Sequence, residues 1–302
     1  MIRNILTGLV FFGTAAFQPF FAASLYDALK SAAKNCTVDL RYARLSACAN
    51  GEDAAVKAAM DGMGVAKALP DLAAAFANKD EKLSATAASY LYRAKDYLGD
   101  IIKNPKLVSA KTVDTLIKGL KDNQSYVSSY ASQITTVLAT LKKKDAALFA
   151  VLDKHKENAT RNDGYRWAMY QGRLRVFGRI QKASRDTKHE YLADAALNAP
   201  EYMYDYSDRE RKKICEWEKG FLKAENPRHE AYAARVLVLR CLGDYIDLVL
   251  DRAEELKNEG QLAHHALREA LTNFTFTCKE YMGQPATGSV AQCARREVLL
   301  QP

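Results

Sequence analysis

Proline and glycine are scarce, at 7 and 15 in 302 residues. So few breakers leave long stretches free to coil. Alanine and other good helix formers fill them, so a nearly all-α chain is expected. Beyond the N-terminus no segment is long and apolar enough to span a bilayer, which needs roughly 20 apolar residues. The chain contains no G-x-G-x-x-G, P-loop, G-x-S-x-G elbow or H-E-x-x-H. It also has no recognition-helix, RNA-binding or zinc-finger pattern, so no nucleic-acid partner is expected. Histidine is rare, with His155, His189, His229, His264 and His265 only. His265 and Glu269 stand one helical turn apart, but no third ligand is visible. Neither a metal nor another cofactor is expected.

What is present begins with the opening, "MIRNILTGLVFFGTAAFQPFFAAS". Arg3 gives a positive start, residues 5–12 an apolar core, and small residues follow. This is the three-part pattern of a secretory signal, assigned to residues 1–23. Cleavage after Ala16, Ala23 or Ser24 remains open. The apolar run is too short to span a bilayer, and Gly13, Gln18 and Pro19 break it; an uncleaved N-terminal anchor is the other reading. "SAAKNC" lacks the small-residue box needed to lipidate Cys36. The expected location is therefore the bacterial periplasm or the cell exterior, with no membrane span after the signal is removed.

The 6 cysteines all follow this segment. An even number in an exported chain points to disulfides. Cys215 and Cys241 straddle "KAENPRH", and their midpoint falls on that break, as it would in an antiparallel helical hairpin. Cys278 and Cys293 straddle "MGQPATGS" in the same way. Cys36 and Cys48 remain. On one straight helix they would stand about 18 Å apart, far beyond the reach of a disulfide. Either the chain turns near "CTVDL" or Cys36 pairs elsewhere.

Apolar residues make up 48% of the chain, enough for a core, and the formal net charge is +8. Part of the surplus is local. Residues 161–190 hold Arg161, Arg166, Arg173, Arg175, Arg179, Lys182, Arg185 and Lys188 against Asp163, Asp186 and Glu190. Such a stretch is either a solvated face or an attractor for an acidic protein or an anionic envelope polymer.

Helical periodicity recurs along the chain. "SATAASYLYRAKDYLGDII" gathers Ala88, Leu91, Ala94, Tyr97 and Leu98. "SYVSSYASQITTVLATL" gathers Val127, Tyr130, Ile134, Val137, Leu138 and Leu141. "GYRWAMYQGRLRVFGRI" reads as one helix with Tyr165, Met169, Leu174, Phe177 and Ile180 together. Shorter amphipathic helices lie between, at 65–78, 111–121, 143–157, 188–198 and 245–260. Tyr126 aligns with Tyr165, Val137 with Val176 and Leu138 with Phe177, giving a period near 40 residues with two helices per unit.

The segments "ATAASYLYRA", "YAARVLVLRCL" and "HHALREALTNF" place small residues first, then a leucine and an apolar pair. In this the chain resembles the HEAT or armadillo-like repeat family over roughly residues 55–275. Departures are the large Trp167 and Tyr170, the missing inter-unit prolines and aspartates, and the irregular "NAPEYMYDYSDRERKK". The resemblance implies an irregular α-solenoid: an N-terminal cap at 24–60 with Cys36 and Cys48, helical hairpins at 61–275, and a C-terminal cap at 276–302 with Cys278 and Cys293. It also implies a concave surface that binds other molecules.

Carboxylates are plentiful (Asp205, Asp208, Glu210, Glu216, Glu218), but sequence spacing does not place two of them across a cleft as glycoside hydrolysis requires. Tyr202, Tyr204, Tyr206 and Trp217 are candidate partner-binding aromatics, alongside Arg173, Arg175, Arg179 and Lys182. The expected function is a non-enzymatic scaffold or adaptor for a protein or peptide. The alternatives are an anionic-polymer binder using residues 161–190 and a helical enzyme with a scattered site.

Overall fold

A computed structural model describes residues 24–241, 243–260, 266–273, 278, 286 and 288–301. The expected signal segment, His264, His265 and most of "MGQPATGS" lie outside the described residues, as does the side chain of Glu269. The described chain is all-α apart from one short hairpin. Among the described residues no helix is long and apolar enough to cross a membrane.

Local sequence sets the elements. Ser24 caps α1 (Leu25–Asn35) by accepting from the Asp27 amide. Strands β1 (Thr37–Asp39) and β2 (Arg44–Ser46) then pair antiparallel, with Val38 opposite Leu45. Gly64, at φ 77°, separates α2 (Glu52–Met63) from α3 (Val65–Phe76), a left-handed turn that suits glycine. Asp80 caps α4 (Glu81–Ala94), which passes through a 3-10 turn at Lys95–Tyr97 into α5 (Leu98–Lys103). Next come α6 (Ala110–Asp122), capped by Ser109, then α7 (Val127–Leu141), α8 (Asp145–Leu152), α9 (Asn158–Gly172), α10 (Leu174–Ala183) and α11 (Glu190–Asn198). A 3-10 turn, Ala199–Tyr202, leads to α12 (Asp208–Lys219), which opens with a capping box between Ser207 and Glu210. Asn226 and Pro227 start α13 (Pro227–Val236), which runs on as a π turn to Cys241. The chain closes with α14 (Asp244–Asn258), α15 (Ala266–Asn273) and α16 (Val290–Leu300).

Packing follows two rows. In the first, α1, α4, α7, α9, α11, α13 and α15 each touch the next. Behind it α3, α6 and α8 pack in turn. Further on, α10 lies on α9 and α11, α12 on α13, and α16 on α14 and α15. The first row is rich in small residues where it is most enclosed. Every residue of α4 from Leu83 to Leu91 is buried, and α7 is buried on nearly all sides. A helix with no exposed face needs neighbours all round it, and small side chains let those neighbours approach.

The structure revises several expectations. "GYRWAMYQGRLRVFGRI" is two helices, because the chain turns at Arg173 with φ 49°. The five apolar residues read as one face are divided between α9 and α10. The Tyr126–Tyr165 alignment is not structural: Tyr126 is 42% exposed at the start of α7, whereas Tyr165 is buried in the middle of α9. First-row helices begin at Leu25, Glu81, Val127, Asn158, Glu190, Pro227 and Ala266, an uneven spacing that a single repeat length does not describe. α2 runs through the expected cap boundary at 60.

All six cysteines pair: Cys36–Cys48, Cys215–Cys241 and Cys278–Cys293. The first pair closes because the chain does turn after Cys36, into the β hairpin. These disulfides place the chain in an oxidising, exported setting.

Helix contacts are tight at three glycines, Gly119, Gly164 and Gly172. A Cβ on Gly119 of α6 would enter the ring of buried Phe76, and one on Gly164 of α9 would meet Leu152. Gly178 of α10 has open space instead. Gly119→Ala should therefore destabilise the fold by about 1–3 kcal/mol, while Gly178→Ala should be neutral or stabilising. Urea unfolding of the two variants beside the parent checks the opposite signs.

Candidate functional site

The joint between α11 and α12 sends its tyrosines in two directions. Tyr206 points inward. It is 5% exposed, and its hydroxyl donates to the Met169 carbonyl near the end of α9. Burial pushes its phenol up, so the hydroxyl stays a proton donor. Glu210, already part of the α12 capping box, pairs with Arg173 at 3.1 Å, and the Arg173 guanidinium lies 5.1 Å from the Tyr206 ring. The left-handed corner between α9 and α10 is thus pinned by side chains from the joint. Tyr206 and Arg173 hold structure.

Tyr202 and Tyr204 point outward. Tyr204 is 58% exposed, with the Arg240 guanidinium 3.8 Å from its ring centre. Tyr202 lies 6.4 Å from Tyr204 and 5.3 Å from Trp167, which itself meets Tyr170 at 5.5 Å. Beneath these rings Glu201 pairs with Arg166 at 2.7 Å and with Arg235. The Glu201 carbonyl accepts from Arg240. All three ion-pair side chains are below one-fifth exposed. Nearby, Asp163 has its carboxyl pushed up, chiefly by burial and also by Glu201, with Arg166 pulling it down. The rings thus lie over a largely enclosed cluster of paired charges.

The other candidates lie elsewhere. Arg175 pairs with Asp145 and donates to the Thr140 carbonyl at 2.8 Å, and Arg179 pairs with Asp153. Both tie α10 to α8. Arg161 is buried, bonded to the His155 carbonyl and Asn158. Lys182 makes no ion pair among the described residues and lines a cleft of about 700 Å³ with Asp153, Arg185 and Asp186. Trp217 packs on Phe177 at 5.3 Å and Phe221 at 5.5 Å, away from the joint.

Of the eight partner-binding candidates, the structure brings only Tyr202 and Tyr204 together on an open surface. It adds Arg166, Trp167, Tyr170, Glu201, Arg235 and Arg240. A signal for two of them was available: Trp167 and Tyr170 are the large residues that break the small-residue pattern of a helical repeat.

Two other groupings of reactive side chains among the described residues are structural. Ser128 and His155 approach to 3.2 Å, but His155 Nδ1 accepts from the Glu157 amide. Its Nε2 therefore carries the proton, which it donates to the Asn123 carbonyl at 3.0 Å. That nitrogen has no lone pair with which to activate Ser128, itself fully buried and donating to the Ser125 carbonyl. Cys36, Cys48 and Glu52 place possible ligand atoms within 4.8 Å of one another, but the sulfurs are spent in a disulfide. Comparison with protein-family models, with curated proteins and with solved structures finds no match for this chain.

Glu218 is the most anomalous ionisable group. It is 0% exposed on α12, one turn beyond Cys215, and neither carboxylate oxygen has a hydrogen-bond partner among the described residues. Burial holds its pKa well above 4.5. A carboxyl with a raised folded-state pKa favours folding below its unfolded value and loses that contribution as pH climbs towards the folded value. Stability should therefore fall from about pH 4.5 upward, and Glu218→Gln should flatten that fall. Urea midpoints of parent and variant measured from pH 4.5 to 8 should diverge steadily, with the variant the more stable at the alkaline end.

Proposed function

We propose that this chain is a non-enzymatic binding protein of the periplasm or cell exterior, a stack of HEAT-like helical hairpins that holds a protein or peptide partner. The partner sits on the surface built by Trp167, Tyr170, Tyr202, Tyr204 and Arg240. One observation carries the reading: half-exposed aromatic rings cluster around an exposed Tyr204 stacked under Arg240, on a base of enclosed ion pairs. Aromatic residues and arginine dominate binding hot spots because they bury much area at little cost in side-chain freedom.

The alternative of an anionic polymer bound through residues 161–190 draws less support. Arg173, Arg175 and Arg179 each already face a carboxylate, which leaves Lys182, Arg185 and Lys188 as the exposed cations of this stretch without an ion pair among the described residues.

The test uses two baits, the parent chain and a Tyr204→Ala/Arg240→Ala variant, for affinity capture from the native envelope fraction. A specific protein retained by the parent and bound about tenfold more weakly by the variant is expected, since hot-spot truncations cost 1–2 kcal/mol or more. Identical capture by both baits would overturn this placement of the partner.

A further inference from the structure

A second surface lies at the other end of the chain, around the N-terminal hairpin. The hairpin packs on α4, and its tip carries Arg41, Tyr42 and Arg44, all exposed. Both guanidiniums sit near the Tyr42 ring, at 5.2 and 5.9 Å. Beside it, Tyr92 of α4 meets Tyr130 of α7 at 5.5 Å, and Tyr126 meets Tyr130 at 5.8 Å. Lys95 Nζ rests 3.6 Å from the Tyr92 ring centre. Tyr42, Tyr92 and Tyr126 are each more than two-fifths exposed.

These cations differ from Arg173, Arg175 and Arg179, each of which faces a carboxylate. Arg41, Arg44 and Lys95 form no ion pair among the described residues. The hairpin's own carboxylate, Asp39, turns its Oδ1 to the Arg41 and Tyr42 amides at 2.8 and 3.1 Å. The Cys36–Cys48 disulfide closes the base of the hairpin. Three positive groups are therefore held against aromatic rings, Arg41 and Arg44 on the stapled hairpin and Lys95 on the turn after α4, with no carboxylate paired to them among the described residues.

The surface continues into a cleft of about 580 Å³ through Leu40, next to Arg41, and through Ser125 and Val127, which flank Tyr126. Amides and hydroxyls line it: Asn78, Ser84, Asn123, Gln124 and Ser125. Several are fixed by bonds of their own, such as Asn78 to the Tyr26 hydroxyl and Ser84 to the Phe76 carbonyl. Of its two carboxylates, Asp122 pairs with Lys118 at 3.0 Å, and Glu81 shares the cleft wall with Lys79.

We propose that this surface binds an acidic polysaccharide whose sugars carry carboxylates. The amide and hydroxyl groups of the cleft suit sugar hydroxyls. The tyrosine rings give flat apolar area to the faces of sugar rings. The guanidinium forks of Arg41 and Arg44 match the planar geometry of a carboxylate, and Lys95 adds a point charge. This site is separate from the proposed partner surface at the joint, and either can fail without the other.

The test is affinity electrophoresis of the full chain through gels containing polygalacturonate, with neutral dextran, polyglutamate and anionic phospholipid vesicles as comparison probes. Polygalacturonate should retard the parent, more at low than at moderate salt, and exceed every comparison probe. Arg41→Ala/Arg44→Ala should weaken retardation about tenfold or more, and Tyr126→Ala should weaken it as well. Lys182→Ala/Lys188→Ala should leave it unchanged. Circular dichroism confirms that the variants, all at exposed positions, remain folded. Absent retardation, equal retardation of the Arg41→Ala/Arg44→Ala variant, or binding to polyglutamate or vesicles as strong as to polygalacturonate would each overturn the proposal.

Discussion

No helix of this chain can bury its own apolar face. Each depends on the helix before and the helix after it in the row, and that mutual cover is the constraint on which the other features rest. It explains why α4 and α7, the most enclosed helices, are built from alanine, serine, threonine and leucine. It explains why glycines stand where α6 meets Phe76 and where α9 meets Leu152. It also explains why the two ends carry unlike elements, a β hairpin at one and a disulfide-linked helix at the other: a terminal helix lacks one neighbour.

Charge reinforces the same scheme. Much of the basic surplus is directed sideways, from one helix to the next. Arg175 and Arg179 reach α8, Arg173 reaches α12, Arg166 and Arg235 meet at Glu201, and Arg252 of α14 reaches the buried Glu230 of α13. Arg295 of α16 engages Asp247, Asp251 and Glu254 along α14. Exposed pairs of this kind contribute little energy individually. The enclosed ones act on geometry, because a misplaced helix would strand a charge away from water. Net charge computed along the chain therefore overstates the charge available to a partner. The hairpin cations, fewer in number, are the better placed to meet one.

The helices were legible in the sequence because periodicity is a local property and capping residues such as Asp80, Ser109, Ser207 and Asn226 stand where the helices begin. The hairpin disulfide Cys215–Cys241 was legible for the same reason, its turn being marked by Pro227. What escaped was set by distant contacts. Nothing near Arg173 announces a left-handed corner. That corner is stabilised by Tyr206 and Glu210, more than thirty residues on. The apparent 39-residue alignment matched residue types across helix boundaries that the sequence did not reveal. At the candidate surface, Tyr202 and Tyr204 were visible as a cluster, whereas Arg235 and Arg240 join them only because α13 packs against the joint. Tyr206 and Trp217 belonged to the same cluster by composition but face inward or pack on other aromatic rings.

The three disulfides have a temporal meaning as well. Their partners are separated by 12, 26 and 15 residues, and they pair strictly in chain order: first with second, third with fourth, fifth with sixth. No bond spans another. A chain delivered N-terminus first into an oxidising space would present each pair complete before the next cysteine emerged. Of the fifteen ways to match six thiols, the native one is then the one that arrival order favours, so the order of synthesis does work that would otherwise fall to reshuffling.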